Sequence, residues 1–325
     1  MAAGALNAKR VLVVDDERAV ASELARALEA EGAVCTESHS GLEASEKLAA
    51  GNFDLMLCDA LMPGRSGFEL IDDARALGDP PAIIVMAESG EAAEALSRGA
   101  DGWLRKPLSI PHAVHEAVLV SELRRLTRLA ESLPLGAAGP ILTVIGEIVN
   151  AFEKADPYRA GYSSRTARLA VQMAAPLGLD MDKLALAARV HDVGMLAVPV
   201  TEQHTEGPPD RTTQHLIRVH PTLGARWIER LGADRAIVAA VAAHHERWDG
   251  SGYPGGLLGE DIPPIARALG TAAAIAAMSA TRPWREKRES VDVIAQLESG
   301  RGRQFGVAEA DAAMEILLKN PALVG

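Results

Sequence analysis

HHERWDGSGYPGG, residues 244–256, is the stretch on which the reading of this chain turns. The Ala-rich apolar run AIVAAVAA precedes it, so His244 and His245 stand at a helix end. A Gly-rich loop carrying Tyr253 and Pro254 follows. Neutral imidazole is the commonest nitrogen ligand of divalent transition metals. A loop with little side-chain bulk beside such ligands leaves a floor for an anion. A turn after a helix with surface histidines would read the same way from these residues alone.

Residues of the same kind recur upstream. His191-Asp192 lies in ALAARVHDVGM, inside a helical pattern. His220-Pro221 reads as the opening of a helix, HPTLGARWIERLG, with proline at a position that helix starts favour. The order HDVG, then HP, then HHERWDGSGYPGG, then ARALGTAAAIAAMSATRPWRE resembles the HD-GYP family of metal-dependent phosphodiesterases, which act on cyclic di-GMP. The resemblance runs from about Pro140 to the C-terminus and sets the expected domain at residues 140–325, all-α.

Bulk properties fit a chain of two domains. Apolar residues make up 48% and aromatics 3%, so the cores are expected to be aliphatic. A net charge of −11 with no long basic run argues against non-specific nucleic-acid binding. Cys35 and Cys58 form neither a ligand pair nor a disulfide framework and point to a reducing compartment. No signal peptide is read before KRVLVVDD, and no apolar stretch reaches the roughly 18 residues of a membrane span. The expectation is a cytoplasmic protein with no membrane partner.

The first 115 or so residues alternate strands and helices. RVLVVDD, AVCTES, DLMLCDA, AIIVMA and DGWLRKP read as five strands with helices between them. Alternation of this kind implies right-handed crossovers and a doubly wound parallel sheet covered on both faces. Functional groups gather at the carboxyl ends of such strands, and Asp15, Asp16, Asp59 and Lys106 all fall there. The arrangement resembles the receiver domain of two-component response regulators over residues 8–120. That resemblance makes Asp59 the phosphoacceptor and Lys106 the phosphoryl partner. Asp15, Asp16 and Asp59 would hold Mg²⁺, and a histidine kinase would be the phosphodonor. A Mg²⁺ ion relieves the repulsion of three carboxylates and neutralises a phosphoryl group in transfer. Met86 stands where the family usually has Thr or Ser and offers no hydroxyl to the phosphoryl group. Trp103 fills the aromatic switch position, and Lys106-Pro107 is a candidate cis bond.

A linker helix is expected over residues 110–135. Leu119, Leu126 and Leu133 recur every seven residues, with Leu123 and Ala130 between them, a narrow seam of coiled-coil type. It would pair two copies of the chain, or pack on the receiver domain. PLGAAGP (134–140) breaks the helix.

In the HD-GYP arrangement two metals generate a hydroxide and clamp the attacking and leaving oxygens. The resemblance makes Asp192 the bridge, and His220, His244 and His245 complete one metal, all present here. The other metal would use His191 and Asp192 with an upstream His and a downstream Asp. Tyr162 and Ala273 stand at those two positions. Ala276 replaces a further acid, Tyr158 a Glu of a third site, and Met195 the Lys of HDIGK. Tyrosine ligates only as phenolate, far from its state at neutral pH, and alanine not at all. One divalent ion is therefore expected, with Fe, Mn, Zn and Ni all compatible with a His/Asp set. Tyr253, Arg282 and Arg285 match nucleotide-contacting positions, where the planar fork of Arg suits phosphate.

Three functions follow. In the first, the output domain is catalytically impaired and acts as a cyclic di-GMP-binding module or docks partners such as diguanylate cyclase domains. In the second it is an active cyclic di-GMP phosphodiesterase controlled by receiver phosphorylation, with water or Asp156 replacing the lost ligands. In the third it is a one-metal phosphohydrolase of another nucleotide. Tyr162 and Ala273 discriminate among them, and the first is favoured.

Overall fold

The computed structural model describes residues 6–131, 138–154, 159–198, 211–281 and 286–324. The chain divides into two compact units, the first of them holding residues 1–128.

That first unit is a five-stranded sheet. Its strands are β1 (Arg10–Val14), β2 (Val34–Ser38), β3 (Leu55–Asp59), β4 (Ala82–Ala87) and β5 (Gly102–Arg105), all parallel, in the order β2-β1-β3-β4-β5. Helices α1 (Arg18–Ala30), α2 (Gly41–Ala50), α3 (Gly67–Arg75) and α4 (Ser89–Arg98) alternate with the strands. Every residue of β3 and β4 is buried, as strands covered on both faces require. The period-2 alternation sends Val11, Val13, Leu55, Leu57, Ile84 and Met86 into one core. Leu24 and Leu28 of α1 fill it, together with Ala113, Ala117 and Val120 of α5 (Ile110–Glu131). The doubly wound fold read from the alternation is the fold observed.

On α5 the residues at i, i+4 and i+7 (Ala113, Ala117, Val120) therefore face the receiver sheet. Leu119 is half-buried. The side chains of Leu123, Leu126 and Ala130, and Leu133 altogether, lie outside the described residues, as do positions 134–137 of the break read over 134–140; its last three residues, Ala138–Pro140, instead open the next helix.

Glu116, on the same helix, is an unforeseen feature. Its side chain lies against Gly102 of β5, where a Cβ would stand 2.8 Å from Oε1. It is buried, and Oε1 has no hydrogen-bond partner among the described residues. Burial pushes the carboxyl up to about 8. The folded state thus holds a proton that the unfolded chain releases, so stability falls as pH rises from about 4.5 to about 8 and is level above that. Glu116→Gln is expected to be more stable than the natural chain by about 3 kcal/mol at pH 7 and equal to it near pH 4.5. Urea unfolding at the two pH values checks this, and a pH-independent difference would refute it.

The second unit is helical. It contains α6 (Ala138–Lys154), α7 (Tyr162–Ala174), α8 (Met181–Val190) and a 3₁₀ turn at Val193–Ala197. Then come α9 (Arg211–Arg230), which belongs to this unit from Ile217 onward, α10 (Arg235–Ala243), α11 (Pro264–Met278), α12 (Ser290–Gly300) and α13 (Val307–Lys319). Helix α12 has no counterpart in the sequence reading. Helix α7 packs on α8 and α11, and α10 on α8 and α11. Alanines bury the contact face of α11 (Ala266, Ala268, Ala272, Ala273, Ala276). Gly270 lets α11 approach closely: a Cβ there would stand 2.6 Å from the carbonyl oxygen of His244. No helix of the described residues is long and apolar enough to cross a membrane.

Two placements differ from expectation. Pro221 does not open a helix; α9 already runs from Arg211 and carries Pro221 inside it. His191 and Asp192 lie just past the end of α8 rather than within a helix. The polar segment 199–210 lies outside the described residues.

Candidate functional site

The receiver acids meet at the carboxyl ends of neighbouring strands. Asp15 follows β1, Asp59 ends β3, and Lys106 follows β5. Carboxylate oxygens of Asp15, Asp16 and Asp59 lie within 4.8 Å of one another. Lys106 Nζ is 2.7 Å from Asp59 Oδ2 and 3.8 Å from Asp15 Oδ2. The backbone N–H of Leu61 donates to Asp59 at 3.3 Å, and that of Glu17 to Asp15 at 2.9 Å. Asp15 Oδ2 is buried without a hydrogen-bond partner among the described residues. Burial raises the Asp15 carboxyl, and the carboxylates of Asp59 and Asp16 push it further, against Lys106. An orphaned buried oxygen amid mutually repelling acids fits a hard cation with oxygen ligands such as Mg²⁺. Met86 pairs with Asp59 across β3 and β4 and turns its side chain into the core, so it brings no hydroxyl to this site. Trp103 is fully buried and its indole N–H donates to the Ala87 carbonyl at 3.1 Å. Lys106-Pro107 is cis.

In the helical unit three histidines are held by one device. His191 and His244 are the residues that end α8 and α10. The last carbonyls of a helix lack backbone donors. His191 Nδ1 reaches the Ala188 carbonyl at 2.8 Å, and His244 Nδ1 reaches that of Val241 at 2.7 Å. His220 lies mid-helix, yet its Nδ1 is 2.6 Å from the Ile217 carbonyl. That carbonyl is available because residue 221, which would ordinarily donate to it, is a proline and has no N–H. A carbonyl only accepts, so each Nδ1 carries the hydrogen and each Nε2 presents a lone pair.

Those lone pairs converge. His220 Nε2 and His244 Nε2 are 3.2 Å apart. Asp192 Oδ1 is 3.2 Å from His220 Nε2, 3.7 Å from His244 Nε2 and 3.6 Å from His191 Nε2. His245 completes a set with Asp192, His220 and His244 whose ligand atoms all lie within 4.8 Å of one another. Burial pushes His191 down to about 4 and lowers His220 and His245 as well, which keeps these rings neutral at pH 7. Two acceptors facing each other at 3.2 Å cannot bond to one another. Ligands about 2.1 Å from one ion and at right to tetrahedral angles stand about 3.0–3.4 Å apart, so the donor set fits a divalent transition metal.

The positions where the resemblance expects two more ligands meet in space. The Tyr162 hydroxyl donates to the Ala273 carbonyl at 3.3 Å, although the residues are 111 apart in sequence. Tyr162 also packs against His191, with ring centroids 5.4 Å apart. Met195 and Ala276 are buried. The outer oxygen of Asp192 is taken by a residue the sequence reading passed over: Arg159 donates from Nη2 to Asp192 Oδ2, and both side chains are largely buried. Burial would raise the Asp192 carboxyl, but its polar neighbours, the Arg159 guanidinium among them, hold it well below the usual range. The one signal in the sequence was a cation three residues before Tyr162. Tyr158, Asp156, Arg282 and Arg285 lie outside the described residues.

A cleft of about 530 Å³ opens over the histidines. His245 stacks on Tyr253 with centroids 4.7 Å apart and planes 19° apart, and the Arg218 guanidinium lies 5.2 Å from the Tyr253 ring. Arg247 and Arg267 add positive charge to its wall. Glu309 holds Arg267 at 2.8 Å. The loop is tied by Glu246, which accepts from the backbone N–H groups of Gly255 at 2.6 Å and Leu257 at 3.0 Å. The Tyr253-Pro254 bond is cis. Three cations, a tyrosine ring and a cluster of metal-type donors make a cleft suited to a phosphorylated aromatic ligand.

A parallel sheet with acids and a lysine at its strand ends, followed by a helical unit built on His191-Asp192, defines a response regulator with an HD output domain. The sequence matches the response regulator receiver domain over residues 11–118 and the HD domain over residues 148–308, so the chain joins a receiver domain to an HD domain. It is 28% identical over 327 residues to the cyclic di-GMP phosphodiesterase response regulator RpfG of Xanthomonas campestris, spanning 94% of this chain and 86% of that one. It is 26% identical over 339 residues to a cyclic di-GMP phosphodiesterase of Thermotoga maritima, spanning 94% and 90%. A shorter match, 34% over 148 residues, links 45% of the chain to 32% of a 3'3'-cGAMP-specific phosphodiesterase of Vibrio cholerae.

Proposed function

We propose that the protein is a response regulator whose HD-GYP domain binds a cyclic dinucleotide, cyclic di-GMP foremost, without hydrolysing it. A receiver domain implies a phosphodonor kinase. In this reading Asp59 accepts the phosphoryl group, Lys106 pairs with it, and Asp15 and Asp16 hold Mg²⁺. The receiver spans residues 8–120, the linker helix 110–135 and the output domain 140–325. Asp192, His220, His244 and His245 hold one divalent ion, beside His191. When bound, such an ion acidifies water and neutralises phosphate charge. The Arg-lined cleft and Tyr253 hold the nucleotide.

The observation that carries the reading is the contact between Tyr162 and Ala273. A phenol engaged by a backbone carbonyl and a methyl group fill the two places where a second ion would need ligands. Hydrolysis has its own support in the activities of the relatives, whose similarity spans most of this chain.

The test uses the full chain loaded with Mn²⁺. Metal is counted by mass spectrometry, cyclic di-GMP is offered in equilibrium dialysis, and products are separated by chromatography. The expected result is one metal per chain, saturable retention of the nucleotide and no linear product above the protein-free control. More than one equivalent of linear product per chain would overturn the reading. Displacement by 3'3'-cGAMP more readily than by cyclic di-GMP would assign the ligand to the mixed dinucleotide.

A further inference from the structure

Arg159 sits where nothing in the sequence placed a functional group. Asp192 divides its carboxylate: Oδ1 faces the Nε2 atoms of His191, His220 and His244, and Oδ2 takes the guanidinium. The Arg159 side chain is 12% exposed and its guanidinium carbon lies 5.9 Å from the centre of the Tyr162 ring. The turn that carries it is fixed from both sides. The Tyr162 N–H donates to the Arg159 carbonyl at 2.8 Å. Glu153 anchors the first turn of α7, accepting from the Ser163 N–H at 3.0 Å and its hydroxyl at 2.6 Å. A buried carboxylate needs a counter-charge. On the side of Asp192 that faces away from the histidine cluster, that charge comes from the chain itself.

We propose that Arg159 is a resident cation that substitutes for a second metal ion at Asp192 and excludes one. It is a positioning residue: it pairs with Oδ2 and leaves Oδ1 turned toward the imidazoles. The inference rests on the one-metal reading of the site. It adds that the loss of ligands at Tyr162 and Ala273 is not the whole barrier, because a positive charge already fills the place. Restoring the two ligands alone does not admit a second ion, and removing the charge as well does.

The experiment counts Mn²⁺ per chain by mass spectrometry after dialysis, with no activity readout. Tyr162→His/Ala273→Asp is expected to hold one equivalent. The same chain with Arg159→Gln is expected to hold two. With Arg159→Lys, which keeps the charge, the count returns to one. Arg159→Met, with the stem but not the charge, replaces the glutamine variant if that one does not fold, as judged by its thermal unfolding. Any order of counts other than one, two, one overturns the proposal. Hydrolysis of cyclic di-GMP by the unaltered protein would overturn the binding reading and leave these counts as they are.

Discussion

Asp192→Asn is expected to unfold about 3–5 kcal/mol more easily than the natural chain at pH 7 in the presence of chelator, and to lose its divalent ion. The substitution changes no volume and removes one charge. That charge is the partner of the largely buried Arg159 guanidinium, and breaking a buried pair by removing one member leaves the other uncompensated. The Asp192 carboxyl lies well below its usual range because its polar neighbours, the Arg159 guanidinium among them, outweigh the effect of burial. Its contribution is therefore complete above pH about 4 and is lost as pH falls through the depressed value. The difference between the two proteins should shrink in acid, which a pH series of urea unfolding measures. Removing an outer hydrogen-bond partner of a metal ligand costs 10–100-fold in affinity, so losing a ligand of the set should weaken Mn²⁺ binding by at least about 100-fold. Unchanged stability and unchanged metal content would show that Asp192 is not the centre of the cluster.

Gly194→Ala should be comparably damaging for a steric reason. A Cβ at Gly194 would stand 2.1 Å from the His220 carbonyl oxygen and 2.8 Å from the Gly224 nitrogen. Both are backbone atoms of α9, so no side-chain rotation relieves the clash. The turn that carries His191-Asp192 must move away from the helix that carries His220, and the 3.2 Å contact between Asp192 and His220 opens. A loss of about 3 kcal/mol is expected, at the upper end of overpacking costs, with weaker Mn²⁺ retention. Gly139→Ala is the control: nothing lies within 4 Å of its Cβ, and it sits in a helix. That change should stay within about 1 kcal/mol. Equal effects at the two glycines would refute the steric account.

The receiver fold was legible because alternation of apolar strands and amphipathic helices leaves few topologies, and Asp15, Asp59 and Lys106 follow from it as strand-end residues. The histidines were legible as a set because their neighbours form recognisable words. Pro221 misled because proline inside a helix is unfavourable in isolation; the helix tolerates it where an imidazole takes over the orphaned carbonyl. Arg159 escaped notice because a lone cation in a polar segment has no periodicity, and its partner is 33 residues away. Glu116 escaped because its position reads as an ordinary helix residue, and only the missing side chain of Gly102 makes room for it. Tyr162 and Ala273 could be read as lost ligands one at a time, but their mutual contact is a property of the packing of α7 on α11.

The His220-Pro221 pair also bears on how such centres arise. A ligand that needs a fixed tautomer needs an acceptor nearby, and carbonyls inside a helix ordinarily accept from the backbone already. One proline frees a carbonyl for it within the helix itself, without a loop or a second side chain. The imperfection in α9 and the aim of its imidazole are thus one device, and a residue with an N–H at position 221 would compete with His220 for the same carbonyl.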